Sequence, residues 1–140
     1  EHHYEDFGKG IYSRQMTEKT YSETLKMTES IIEKGGSVIV DASFKKRAER
    51  NKFSSLADTT GADFFIIECI CPEDTIRTRL DKRMLNKKEA SDGRWEIFQA
   101  QKKDFDTIDE ASPKVHIIID TSKTPETSTS EAVSRIRISG

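Results

Sequence analysis

Arg79 and Arg83 stand four positions apart in a segment, Glu73 to Asn86, where Ile76, Leu80 and Met84 recur at helical spacing. At about 100° per residue Arg83 falls inside that apolar stripe and Arg79 at its edge. A guanidinium turned inward needs an anionic partner or an exit to a cleft. An anion-binding cleft is one way to meet that need; a salt bridge to Asp41, Asp104 or Asp106, or a side chain that snorkels to water, is another. Arg77 and Lys82 fall elsewhere on the wheel and are expected to be solvated.

A second set of polar residues ends the apolar runs. Ser37-Val38-Ile39-Val40 runs into Asp41 with Ser43 just beyond, Phe64-Phe65-Ile66-Ile67-Glu68-Cys69-Ile70 stops at Pro72, and Val115-His116-Ile117-Ile118-Ile119 runs into Asp120-Thr121. If these runs are parallel strands, their carboxyl ends carry Asp41, Ser43, Pro72 and Thr121 to one edge, and in open α/β sheets the ligand crevice lies outside that edge. Acids and hydroxyls there can equally cap the helices that follow. Cys69 and Cys71 share one strand face, but a zinc site would want two more ligands, which the histidines at 2, 3 and 116 do not obviously supply. They are expected as buried, reduced thiols, and His116 as a hydrogen-bonded structural histidine.

Helices must carry the chain between these strands. Tyr21, Leu25, Thr28 and Ile32 predict a helix over 17–34, capped by Thr17 and ended by Gly35-Gly36. The run 37–41 is expected as a strand buried on both faces. Phe53, Leu56 and Ala57 predict a helix over 46–60 closed by Gly61. Glu73-Asp74 suit the first turn of a helix to Asn86. Residues 87–90 are expected as a charged link, Ser91-Asp92 as the start of a helix with Trp95 and Phe98 on its core face, and 123–130 as a mobile stretch before a last helix over 130–138. Strands alternating with helices make an α/β class with a parallel sheet, in one domain over 1–140.

Composition narrows the partners. Of 140 residues, 34% are hydrophobic and 34% charged, so the core is modest. Lys and Arg total 23 against 25 Asp and Glu, so no global field favours nucleic acid or an anionic membrane. No apolar run nears the roughly 18 residues a span requires, and a cytoplasmic protein is expected.

Gly36 through Phe44 with Arg47 and Arg50, Cys71-Pro72-Glu73 with Arg79 and Arg83, and Ser91-Asp92 with Gln101 resemble small P-loop kinases. The likeness is to the ATP-binding domain often fused to aminoglycoside-phosphotransferase-like proteins, with gluconate kinase, zeta toxin and polynucleotide kinase as more distant relatives, and it runs from about Tyr4 to Thr121. It implies a three-layer parallel sheet flanked by helices, with ATP and Mg2+ as cofactors and a small hydroxyl-bearing acceptor. Asp41 then resembles the residue that orients water around magnesium or activates the attacking hydroxyl. Arg79 and Arg83 resemble lid arginines that meet the transferring phosphoryl group, with Thr121 on the nucleotide side and Ser43, Arg47 and Arg50 on the acceptor side. In such kinases a first strand and a G-x-x-x-x-G-K-[ST] loop come earlier in the chain and lie between the strands at 37–42 and 64–70. The 140 residues contain no such motif. Gly8-Lys9-Gly10 follows no strand and is expected as a flexible turn. The resemblance thus describes a P-loop kinase fold lacking its first strand and phosphate loop, whose sheet another domain or a homodimer partner would complete. A non-catalytic nucleotide-binding or regulatory module and a polynucleotide 5′-hydroxyl kinase are the alternatives.

Overall fold

The computed structural model describes residues 2–83 and 88–139, and the chain divides into two compact units, Glu1–Ala62 and Asp63–Gly140. In the first, α1 runs from His2 to Glu33. It starts well before Thr17, so Gly8-Lys9-Gly10 is helical and not a turn, and Thr17 caps nothing: its hydroxyl donates to the Ser13 carbonyl at 2.8 Å inside the helix. Gly35, at φ 85°, ends α1 with its N–H on the Ile32 carbonyl at 2.8 Å.

The run 37–41 is not a strand. It has no ladder partner among the described residues, and Ile39 is 94% exposed. β-branched residues tolerate extended backbone, but a strand exists only where a neighbour takes its N–H and C=O groups. α2 then spans Arg47–Thr60 and ends at Gly61, whose φ of 72° is the left-handed conformation open to glycine and whose N–H returns to the Ala57 carbonyl. α2 packs on α1, burying Thr28, Arg50, Phe53 and Ala57.

In the second unit β1 (Ile66–Ile70) and β2 (His116–Asp120) pair in parallel, Ile66 opposite His116 and Ile70 opposite Asp120. His116 Nε2 and Glu68 Oε1 are 2.8 Å apart, which gives the histidine its expected structural partner. Ile117 and Ile119 are each 2% exposed while Ile118 is 44% exposed, so β2 buries alternate residues. β1 is less covered. Cys69 is exposed and Cys71 half-buried, both free thiols, because burial of a strand residue depends on the layer packed over it and not on the strand's own composition.

Three helices complete this unit: α3 (Glu73–Arg83), α4 (Lys88–Lys103) and α5 (Pro125–Ser139). α3 packs on α4 and α5 on β2. The expected stripe residue Met84, Asn86 and Lys87 lie outside the described residues. Residues 88–90 are helical and not a link, which puts Ser91-Asp92 inside α4 and not at its start. Asp92 instead pairs with Arg77, whose guanidinium also sits 5.1 Å over the Trp95 ring, so Arg77 is braced and not merely solvated. Trp95 in turn stacks on Phe98 at 5.3 Å. The stretch expected to be mobile is helical from Pro125. The Thr124 hydroxyl accepts from the Thr127 N–H at 3.2 Å, and proline at the first helical position needs no partner for an N–H.

Candidate functional site

The carboxyl edge of the β1–β2 pair is held by Thr121. Its N–H and its hydroxyl both donate to the Ile70 carbonyl, at 2.8 and 3.0 Å, which locks the two strand ends together. Arg79, on α3, reaches that edge and donates from Nη2 to the Thr121 carbonyl at 2.7 Å. Two candidate residues 42 positions apart are thereby joined. Arg83 is exposed in the last turn of α3, a helix with no buried residue. The inward guanidinium expected from the apolar stripe is absent, because Ile76 and Leu80 are only half-buried and make no dry face.

Asp120 completes this edge. The Ser122 hydroxyl and the Ser122 N–H, the latter at 2.8 Å, bond its carboxylate and hold its pKa below the usual aspartate value; Lys123 and Arg79 act in the same direction. A depressed folded-state pKa stabilises the fold above the unfolded pKa, and that contribution is lost as pH falls through the folded value. Asp120→Asn should therefore flatten the acid limb of a melting-temperature profile below the ordinary aspartate range. An unchanged profile in the variant would show that this hydrogen-bonded turn does not matter for acid stability.

Asp41 and Ser43 belong to the other unit. They line an open groove of about 790 Å³ with Ser13, Met16, Thr17, Thr20, Tyr21 and Thr24 of α1. Asp41 is exposed, and Ser43 Oγ lies 3.3 Å from the Tyr21 hydroxyl. Phe44, next along, has φ 42°, a left-handed conformation costly for a bulky side chain. It is held on every side. Its N–H donates to Tyr21 Oη at 3.0 Å, Arg50 Nη1 donates to its carbonyl at 2.7 Å, and its ring packs between Tyr21 at 5.2 Å and Phe53 at 5.1 Å.

Arg50, expected on the acceptor side, is 2% exposed and supports the loop from within. Arg47 is exposed at the start of α2. The structure thus brings Asp41 and Ser43 together in one unit and Arg79 and Thr121 together in the other. The sequence reading assigned Tyr21 only to a core stripe. The signal it passed over is the hydroxyl series 13, 17, 20, 21, 24, which is one face of a helix.

No helix among the described residues is long and apolar enough to cross a membrane, and no three His, Cys, Asp or Glu residues among them gather to hold a metal ion. No curated protein and no solved structure matches the chain. A family model described as an AAA domain matches residues 2–108, well over half of the sequence, and covers α1, α2, β1, α3 and α4. The chain belongs to this AAA-domain family of P-loop NTPase-like, kinase-type proteins.

Proposed function

We propose that this chain forms the C-terminal part of a single ATP-binding, kinase-like domain with a three-layer parallel sheet, which when intact transfers the γ-phosphoryl group of ATP to a small hydroxyl-bearing acceptor. The observation that carries the reading is the 2.7 Å bond from Arg79 to Thr121 over the ends of two parallel strands, where α/β sheets seat their ligands. Membership of a P-loop family supports the nucleotide as that ligand. Magnesium ATP supplies the phosphoryl group. On this reading the first unit carries the acceptor side, where Asp41 is the base for the acceptor hydroxyl, Ser43 and Arg47 are its neighbours and Arg50 holds their loop. The second unit carries the nucleotide side, where Thr121 borders the nucleotide and Arg79 and Arg83 are the cations for its phosphate oxygens. A cytoplasmic setting, where ATP is abundant, fits this chemistry.

A non-catalytic nucleotide-binding module is the second reading. The bond that fixes Arg79 Nη2 on the Thr121 carbonyl fits it too, since a guanidinium held on the strand ends builds a binding edge without any transfer of a group. Isothermal titration of the 140-residue chain with magnesium ATP separates the two from a trivial case. Without a G-x-x-x-x-G-K-[ST] cradle the expected Kd is weaker than about 10 μM, near −7 kcal/mol. A polypeptide joining that motif to this chain should bind more tightly and release ADP only when an acceptor is present. Tight binding with no acceptor-dependent ADP release would favour the module, and no gain in binding would sink both.

A further inference from the structure

We infer that the groove between α1 and the loop 40–43 is a binding site for a neutral or cationic polyol, and that it disfavours phosphorylated and carboxylated compounds. Its volume of about 790 Å³ suits a small molecule. The lining decides which kind. Thr17, Thr20 and Thr24 each donate their hydroxyl proton to a carbonyl one turn back in α1, all at 2.8 Å. Each oxygen keeps lone pairs for a ligand but has no proton left to offer. Tyr21 Oη accepts from the Phe44 N–H and shares its own proton with Ser43 Oγ at 3.3 Å, where either hydroxyl can donate, and Asp41, the one charged residue of the lining, is an acceptor when ionised.

A lining in which acceptors outnumber donors, with Ser13, Tyr21 and Ser43 as its remaining hydroxyl donors, favours ligands rich in hydroxyl and ammonium groups. It offers an anion few donors and a like charge besides. Met16 and Val40 add apolar surface for the carbon skeleton of such a molecule. The loop is also preorganised, because Phe44 is held at φ 42° by Tyr21, Arg50 and Phe53, so the groove is not assembled on binding. Calling the bound molecule a phosphoryl acceptor rests on the kinase reading above; its binding does not.

The test is a titration of the isotopically labelled 140-residue chain with glucose, glucosamine and glucose 6-phosphate, following the backbone amides of residues 13–24 and 40–44. Glucose and glucosamine should shift these amides, glucosamine with about threefold higher affinity through an exposed ion pair with Asp41. Glucose 6-phosphate should bind more weakly than glucose. Asp41→Asn should abolish the preference for glucosamine over glucose, and Thr20→Val with Thr24→Val should weaken both sugars. Equal or tighter binding of glucose 6-phosphate, or saturating sugar without shifts in these amides, overturns the inference. Shifts in the groove without phosphoryl transfer by an intact domain would overturn the kinase reading and leave this one standing.

Discussion

Arg50→Ala should destabilise the first unit by about 3 kcal/mol, the scale on which losing one partner of a buried charged network acts. The side chain is 2% exposed, and its Nη1 is 2.7 Å from the carbonyl of a residue held at φ 42°. Alanine removes three things at once: the alkyl stem from the α1–α2 contact, the charge-assisted bond, and one of the restraints on the strained Phe44 backbone. The carbonyl left behind is partly shielded and regains only some of its hydration. Arg50→Lys keeps the charge but not the fork, and should recover less than half of the loss. Hydrogen exchange at α2 amides, read for the two variants beside the parent chain, measures this unit separately from the other. A loss below about 0.5 kcal/mol for alanine, the usual range for a surface substitution, would mean that the loop is held by Tyr21 and Phe53 without the guanidinium.

Asp41→Asn should lower kcat of the intact domain by about a hundredfold to ten-thousandfold, the range for loss of a positioned general base. The Michaelis constant for ATP should change little. Asparagine has nearly the same shape but cannot accept the acceptor's proton. Since Asp41 is exposed, the substitution should leave stability within about 0.5 kcal/mol. The combination separates chemistry from folding. A loss of activity accompanied by a lower melting temperature would assign Asp41 to loop structure, and full activity in the variant would remove it from the proposed mechanism.

Much of this architecture could be read locally. Gly61 ends α2 because an αL position after an amphipathic run admits glycine, and Pro72 stops β1 because proline has no ladder donor. The runs 66–70 and 116–120 show their β-branched character directly. The run 37–41 shows the same character and is not a strand, since pairing depends on a neighbour that local composition does not reveal. Arg83 and Cys69 failed for a related reason: an apolar stripe or run says which residues could be buried, and only packing says which are. Phe44 was illegible because its left-handed backbone is imposed by Tyr21, 23 positions earlier, and by Arg50. Asp41 and Ser43 were legible as candidates through their place after an apolar run, while the hydroxyl face opposite them needed the helix to be seen whole.

The parallel ladder of β1 and β2 also makes the pairing of these strands a non-local step in folding. Ile66 meets His116 across the whole of α3 and α4, so no hairpin can seed the pair. The entropy of closing that loop must be met before the first inter-strand bond gives anything back, and it grows only slowly with length. Packing of α3 on α4 through Arg77, Asp92 and Trp95 would shorten the effective loop if it precedes the pairing of the strands. On this account the Arg77–Asp92 brace works on the speed at which the sheet forms more than on the stability it reaches.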